Sequence, residues 1–237
     1  MQREILLPGS AELGVKLDDA QLSQFNRFTD LLLKWNNKFN LTRITEPQEI
    51  AVKHYLDSLS ILVFMNIPTG SSIIDVGTGA GFPAIPLKIA RPDLKITMLD
   101  SVRKRLAFLE EAIRELNLSD MRTIHSRAED AGRDKSQRER YDFVVARAVS
   151  RLNVLAELCM PFCRVGGRFA AYKGPDIADE IEEAVKAIRT LGGEIEAVHQ
   201  FTLPCSDQRR TLVVVRRSSP TPAEYPRKSG IPERSPL

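Results

Sequence analysis

The loop at residues 72–83, SIIDVGTGAGFP, carries three glycines at every second position, Gly77, Gly79 and Gly81, shortly after the acidic residue Asp75. Glycine tolerates backbone conformations that other residues avoid, so such a loop lets a ligand approach its backbone closely. The spacing is GxGxG, whereas dinucleotide-binding loops have GxGxxG. A negative charge at Asp75 would repel a pyrophosphate and attract an ammonium or sulfonium group. The loop therefore predicts a ligand that carries a positive charge.

Two further acids stand where predicted strands end. Asp100 closes the strand after the glycine loop, a position from which a carboxylate accepts hydrogen bonds from ribose hydroxyls. Ala128 and Glu129 follow the third strand, where such folds cover an adenine ring. A nucleoside combined with an amino acid and a sulfonium is S-adenosylmethionine, which we predict as the cofactor. The alternative is that Asp100 and Glu129 only cap the helices that follow them.

Several other polar residues could contact a substrate. Arg147 ends the fourth predicted strand and could hold a cofactor carboxylate or a phosphate. Lys173, at the end of the fifth strand, and Arg209 are further phosphate candidates, although solvated side chains are equally compatible with these positions. His54 and Asp57 lie one helical turn apart and could line a substrate cleft. We favour a structural role for these two, in packing or capping a helix.

The composition is typical of a folded cytosolic protein. The chain has 237 residues, of which 43% are hydrophobic, enough to fill a sizeable core. No apolar run of about eighteen residues predicts a membrane span. The three cysteines form no CxxC pair and do not cluster with histidines, so we expect buried reduced thiols and no metal site. We also expect a cytoplasmic monomer.

Positive charge is concentrated in the later part of the chain. Residues 1–70 hold 7 Lys+Arg against 8 Asp+Glu, while the whole chain carries +3. The excess lies in short clusters: Arg103–Arg105, residues 132–140, Arg209–Arg210, Arg216–Arg217 and the tail. Such clusters are a mild indication of a polyanionic partner such as nucleic acid.

The predicted elements change character after the first seventy residues. Apolar residues recur at helical spacing over 17–39, and a second helix is predicted over 45–64 with Pro47 in its first turn. Strands then alternate with helices, which predicts a mostly parallel, doubly wound α/β sheet. The short gap before the last strand predicts an antiparallel hairpin. The predicted strands are 72–76, 95–100, 122–126, 141–146, 168–173, 194–203 and 210–217.

The motifs together resemble the bacterial 16S ribosomal RNA (guanine-N7)-methyltransferase family, also called the glucose-inhibited division protein B family. The resemblance rests on KFNLTRI, KHYLDSLS, IIDVGTGAGFPAIPLKI, LDSVRKRLAFL, RAED, ARAVSRL, YKG and the proline-rich tail, and covers residues 20–237. It implies a class I S-adenosylmethionine-dependent methyltransferase with a Rossmann-like seven-stranded sheet and an N-terminal helical extension. The cofactor contacts that it implies are Gly77, Phe82, Asp100, Ser101, Val102, Ala128, Glu129 and Arg147, to which the glycine pattern adds Gly79.

Methylation of guanine N7, the reaction that the resemblance implies, needs no catalytic side chain to transfer a proton. Methyl transfer from a sulfonium is an in-line displacement, and guanine N7 offers a lone pair that carries no proton. No general base is needed, so we name no catalytic residue and expect the rate to come from positioning. Two alternatives remain open: a methyltransferase of a small molecule, with an enclosed pocket, and a non-enzymatic nucleotide-binding regulator.

Three regions follow from these patterns: a helical extension over 1–68, a methyltransferase core over 69–219 and a basic, proline-rich tail over 220–237. The tail holds five prolines, which forbid regular structure. Because apolar residues are spaced among the prolines, we expect a strap packed over the domain. We also expect its Arg227, Lys228 and Arg234 to face the RNA, and its loss to leave cofactor affinity nearly intact.

Overall fold

The computed structural model of the protein describes residues 2–147 and 150–237. Met1, and Ala148 and Val149 of the ARAVSRL stretch, lie outside the described residues. Seven strands form one sheet in the order β3-β2-β1-β4-β5-β7-β6. The strands are β1 Ser72–Val76, β2 Lys95–Asp100, β3 Met121–His125, β4 Tyr141–Arg147, β5 Cys163–Lys173, β6 Gly193–Thr202 and β7 Arg209–Arg217.

Helices pack on the sheet, and they also form the N-terminal part of the chain. None of those in the described residues is long and apolar enough to cross a membrane. The helices are α1 Gln2–Glu12, α2 Asp19–Phe39, α3 Pro47–Ile50, α4 Asp57–Leu59, α5 Ile61–Phe64, α6 Ala84–Ala90, α7 Arg103–Glu115, α8 Ala128–Ala131, α9 Leu152–Cys159, α10 Ala178–Thr190 and α11 Ile231–Arg234.

The sheet has the predicted topology. Strands β1 to β5 pair in parallel, and β7 runs antiparallel between β5 and β6. The alternating pattern and the closing hairpin are therefore confirmed. Strand β5 is longer than predicted, because it begins at Cys163 instead of residue 168 and passes Gly166 at a positive φ of 83°. The carboxyl ends of the parallel strands meet at one edge, where open α/β sheets bind ligands.

Helix α2 joins the N-terminal region to the sheet. It begins at a capping box, in which the Asp18 carboxylate accepts from the Gln21 backbone N–H and the Gln21 side chain accepts from the Asp18 N–H. Its buried Phe28 ring packs on Phe82 of the glycine loop and Phe108 of α7, with centroids 5.6 and 6.0 Å apart. The helical region thus shares one hydrophobic core with the sheet. Helix α1, to which the sequence analysis assigned no element, precedes it.

The second predicted helix is broken into pieces. After α3 the chain forms a π-helical turn over Ala51–Leu56, and α4 and α5 follow with a break at Ser60. The hydroxyls of Ser58 and Ser60 both donate to backbone carbonyls one turn earlier, which competes with regular helix geometry. Turns of the π type are frequent at functional sites. This one carries His54 and stands directly before Asp57.

The proline-rich tail lies on the domain as a strap, as predicted. The Arg138 guanidinium donates to the carbonyls of Thr221 and Tyr225 at 2.8 and 2.7 Å. The Arg133 guanidinium donates to the Pro226 carbonyl at 2.8 Å. The cluster at residues 132–140 therefore holds the strap with two of its arginines, which weakens the indication that this cluster binds a polyanion.

The cysteine prediction was only partly right. Cys159 and Cys163 are buried and free, as expected. Cys205 is exposed, because it lies in the β6–β7 turn at a positive φ of 58°. In the part of the chain that the structure describes, no group of His, Cys, Asp and Glu side chains has the arrangement of a metal site.

Candidate cofactor and substrate site

The glycine loop follows β1 at the carboxyl edge of the sheet. Gly77, Gly79 and Gly81 all have positive φ, at 73°, 60° and 87°. A Cβ on Gly81 would lie 2.7 Å from the Ile85 side chain, so this glycine also permits close packing of α6 against the loop. Gly77 faces an open cavity instead. The first glycine therefore lines the cavity, whereas the third permits close packing.

Asp75 lies beneath this loop and is fully buried. Its Oδ2 accepts from the Thr78 hydroxyl at 2.7 Å and from the Ala84 backbone N–H at 3.3 Å, while its Oδ1 has no hydrogen-bond partner. Burial raises the pKa of this carboxyl to about 7. Asp75 thus fixes the shape of the loop and keeps one oxygen without a hydrogen-bond partner.

Asp100 connects the glycine loop to α7. Its Oδ1 accepts from the Val102 N–H at 2.8 Å, and its Oδ2 accepts from the Gly79 N–H at 2.9 Å and from Arg105 at 3.3 Å. The carboxylate therefore fixes the turn before α7 and lines the cavity, but α7 has no side-chain capping hydrogen bond, so the alternative that Asp100 only caps this helix is wrong. A carboxylate has about four lone-pair sites, so one remains for a ligand hydroxyl.

A cavity of about 440 Å³, which we call the cofactor cavity, opens beside these residues. Five of the predicted cofactor residues line it: Gly77, Asp100, Ser101, Ala128 and Glu129. The remaining four, Gly79, Phe82, Val102 and Arg147, are not part of its lining. The N–H groups of Gly79 and Val102 bind Asp100, whereas Phe82 and Arg147 belong to a neighbouring cluster.

Sequence reasoning missed one wall of the cofactor cavity. The strap supplies Ser229, Gly230, Pro232 and Glu233 to its lining, and the Gly230 N–H donates to Glu129 Oε1 at 3.0 Å. No spacing in the sequence relates residues a hundred positions apart, so no local signal could have revealed this contact.

The basic residues of the strap do not behave as predicted. Arg227 binds the buried carboxylate of Glu157 through its backbone N–H and its guanidinium, at 2.7 and 2.6 Å. Arg234 donates to the Gly230 carbonyl at 3.1 Å. We expected all three basic residues of the strap to face RNA. Arg227 instead pairs with Glu157, because leaving a buried carboxylate without a partner would cost more free energy than an exposed contact would gain. Only Lys228 and Arg234 of the three are exposed.

A second cavity of about 340 Å³ lies where β4 and β5 end, and we call it the Asp57 cavity. Its lining consists of Lys53, His54, Asp57, Arg147, Tyr172, Lys173, Gly174 and Arg210. The Arg147 guanidinium sits at its centre and donates from Nη1 to Asp57 Oδ2 at 3.0 Å and to the Lys53 carbonyl at 3.1 Å. It also lies 5.1 Å from the centroid of the Phe82 ring. Arg147 therefore joins the helical region to the glycine loop.

His54 both packs and lines this cavity. Its ring stacks on Phe82 with centroids 4.2 Å apart, and its two nitrogens lie 3.0 Å from the Thr42 hydroxyl and 3.1 Å from Arg147 Nη2. Burial, assisted by the Arg147 charge, lowers the pKa of His54 to about 3. The ring is therefore neutral at physiological pH. The structural role that we favoured for His54 and Asp57 is real, but both residues also line a cavity.

The remaining substrate candidates, Lys173 and Arg209, differ in how free their side chains are to contact a ligand. Lys173 Nζ is mostly buried and pairs with Glu180 at 2.7 Å and with the Ser150 carbonyl at 2.6 Å, which leaves it one donor for a ligand. Arg209 is exposed at the start of β7. Arg210, which the sequence grouped with it, points inward and places its Nε 3.6 Å from Asp57 Oδ1.

The order of this sheet, the glycine loop after β1 and the acid at the end of β2 together define a class I methyltransferase fold. Comparison with known proteins shows to which family within this class the chain belongs. The chain belongs to the GidB family, described as rRNA small subunit methyltransferase G, whose family model matches residues 21–213.

Curated relatives extend this match over nearly the whole chain. Ribosomal RNA small subunit methyltransferase G from Alkaliphilus metalliredigens is 48% identical, covering 98% of both chains. The protein of the same name from Acetivibrio thermocellus is 48% identical, covering 99% of this chain and 96% of the relative. Among solved structures, TrmN from Thermus thermophilus has a TM-score of 0.54 at 18% identity, covering 68% of this chain and 48% of that chain. This last likeness concerns the fold alone.

Proposed function

We propose that the protein is an S-adenosylmethionine-dependent methyltransferase that methylates N7 of a guanine in 16S ribosomal RNA. The observation that carries the proposal is the near-full-length identity to relatives named ribosomal RNA small subunit methyltransferase G. The two cavities support it, because the reaction must hold both a nucleoside cofactor and a base, and both cavities are lined by residues at the carboxyl ends of parallel strands. The RNA is either free or part of the small subunit or one of its assembly intermediates, and the enzyme acts as a cytoplasmic monomer.

The cofactor cavity fits S-adenosylmethionine. The Asp100 carboxylate, with a lone-pair site to spare, would accept from ribose hydroxyls, and Ala128 and Glu129 would hold the adenine. Gly77, at a positive φ, lets the amino acid part approach the loop backbone, where the unpartnered Oδ1 of Asp75 can accept from an ammonium group. When bound, the cofactor supplies an electrophilic methyl group. Ser101, Val102, Phe82, Gly79 and Arg147 complete the shell.

The chain itself contributes binding and orientation. Guanine N7 has a free lone pair, so no residue has to remove a proton, and His54 with its lowered pKa is unsuited to accept one in this setting. The stacked rings of His54 and Phe82 fix the side of the Asp57 cavity that His54 lines. Positioning of this kind can supply on the order of 7–11 kcal/mol of the barrier.

The three regions take separate parts in this proposal. The helical extension, residues 1–68, supplies Lys53, His54 and Asp57 to the substrate side. The core, residues 69–219, supplies the cofactor side and the phosphate candidates Arg147, Lys173 and Arg209. The tail, residues 220–237, closes the cofactor cavity.

The test is methylation of small-subunit RNA from a strain that lacks the enzyme. Naked 16S RNA and intact small subunits are incubated with the protein and labelled cofactor, and the product is mapped by mass spectrometry. We expect one 7-methylguanosine. Methylation of another atom or of no RNA at all would contradict the proposal. Thermal stabilisation by S-adenosylhomocysteine but not by NAD checks the cofactor separately.

A further inference from the structure

The Asp57 cavity contains a buried acceptor that the protein leaves unused. Asp57 is 5% exposed, and only its Oδ2 is hydrogen-bonded, to Arg147. Its Oδ1 has no hydrogen-bond partner, and the nearest cation is Arg210 Nε at 3.6 Å. A buried carboxylate oxygen without a donor is costly, and native structures rarely keep one without a reason.

The rest of the cavity lining presents donors. The side chains of Lys53, Arg147, Lys173 and Arg210 are all cationic, so the cavity offers one free acceptor among several positive groups. A ligand that fits must present an N–H donor close to an acceptor oxygen. An anion could bind the cationic side chains of the cavity, but it has no N–H with which to satisfy Asp57 Oδ1.

Among the four RNA bases, guanine meets the requirement best. Its Watson–Crick edge carries two adjacent donors, N1–H and the 2-amino group, beside the acceptor O6. Adenine has an acceptor at N1, cytosine has an acceptor at N3, and uracil has a single N–H between two carbonyls. A carboxylate can take both guanine donors, in the way that carboxylates read base amino groups in nucleic-acid complexes. The cavity volume of about 340 Å³ leaves room for a planar base.

The position of the cavity suits a base that is methylated at N7. His54, which lines the cavity, stacks on Phe82 of the glycine loop. N7 lies across the purine from N1 and the 2-amino group, so a guanine held by Asp57 keeps its N7 uncovered. We propose, on the basis of the function proposed above, that Asp57 selects the target guanine by accepting from its N1–H and 2-amino groups.

The alternative is that Asp57 has a purely structural role and only ties the helical extension to the sheet. That role would also explain its contact with Arg147, but it predicts a different experimental result. In that case the chemistry of the base would not matter to the role of Asp57. A base analogue therefore separates the two roles. Inosine keeps N1–H, O6 and N7 of guanosine and lacks only the 2-amino group.

The experiment measures kcat/KM for methylation of RNA in which the mapped target is guanosine or, by splinted ligation, inosine. We expect inosine to lower kcat/KM of the wild-type enzyme about 10-fold, the loss of one well-placed donor. Asp57→Asn should lower kcat/KM at least about 10-fold on guanosine RNA. For this variant, replacing the target guanosine by inosine should lower kcat/KM little further. Asp93→Asn, which removes another arginine-paired aspartate far from the cavity, should behave as wild type on both RNAs.

Folding is checked by the melting temperature and by the affinity for S-adenosylhomocysteine, which Asp57→Asn should leave near the wild-type value. Equal wild-type rates on guanosine and inosine would overturn the proposal, and so would effects of inosine and Asp57→Asn that simply multiply. Either result leaves the methyltransferase proposal intact. Failure of the wild-type enzyme to methylate guanosine RNA at N7 would refute the proposed function itself.

Discussion

Gly77 shows how one residue type sets the cofactor site. It has a φ of 73° and lines the cavity that we propose for the cofactor. Gly77→Val should weaken S-adenosylhomocysteine binding at least about 10-fold, because a left-handed non-glycine residue costs about 1–3 kcal/mol and its methyl groups would fill the approach. Isothermal titration calorimetry measures the affinity.

The matched control is Gly70→Val. Gly70 has nearly the same φ, 76°, but its Cβ would meet open space away from the cavity. This variant should lose stability while it keeps cofactor affinity. Equal losses of affinity in both variants would attribute the effect to strain alone and contradict a direct role of Gly77.

Asp75 gives a prediction about pH. Because burial raises the pKa of its carboxyl to about 7 from the ordinary 3.8, the folded state holds this proton more tightly than the unfolded state. Its contribution to stability is therefore full below about pH 4 and is lost as the pH rises to about 7. Asp75→Asn should remove this slope, which amounts to about 4 kcal/mol at most.

Urea unfolding of both proteins at several pH values between 4 and 8 tests this prediction. The quantity of interest is the difference in unfolding free energy between wild type and Asp75→Asn. We expect it to change steadily from pH 4 to pH 7 and then level off. A difference that is independent of pH would mean that Asp75 titrates normally.

At the scale of elements, the strap departs most from the sequence-based expectation. Deletion from Thr221 onward should lower both the melting temperature and the affinity for S-adenosylhomocysteine, since Glu129 and the cofactor cavity would lose their contacts with Gly230 and Pro232. This replaces the expectation of nearly intact cofactor affinity. Differential scanning fluorimetry and calorimetry measure the two effects.

Adjacent residues of the strap provide a finer comparison. Arg227→Ala leaves the carboxylate of Glu157, whose side chain is 1% exposed, without its partner, a change that typically costs about 3–5 kcal/mol. Lys228→Ala removes a neighbouring exposed charge and should have little effect on melting. Similar melting temperatures for these two variants would show that the strap is not anchored through Glu157.

At the scale of the whole molecule, the basic clusters divide into structural and free groups. Arg217 is buried and donates to the Cys163 carbonyl, and Arg216 pairs with Glu194. Arg209 remains exposed at the start of β7. The net charge of +3 therefore overstates the surface that is open to RNA.

RNA affinity should fall steeply with salt, because phosphate contacts release counterions. Arg209→Ala should reduce the slope of log K against log salt by about one unit, whereas Arg216→Ala should leave it unchanged. Fluorescence anisotropy with a 16S RNA fragment at several salt concentrations measures both slopes. A slope that is insensitive to Arg209 would remove it from the RNA surface.

The sheet and half of the candidate cofactor site could be predicted from the sequence. Alternating apolar strands, capping signals and turn glycines are local properties, so the order of elements and the places of Gly77, Asp100 and Glu129 follow from residues close in the chain. The family resemblance rests on the same local motifs. Even so, the break in the second helix escaped detection, because the pairing of Ser58 and Ser60 with backbone carbonyls competes with a helical pattern that looks continuous.

Which charged side chains pair inside the protein and which remain exposed could not be predicted from the sequence, because the partners are far apart in the chain. Arg227 meets Glu157, and Arg147 meets Asp57, across separations of 70 and 90 residues. Whether an arginine is an RNA contact or the partner of a buried carboxylate depends on desolvation, which is set by the packing around it and leaves no mark on neighbouring residues. The unpaired oxygen of Asp57 is visible for the same reason only once all of its neighbours are in place.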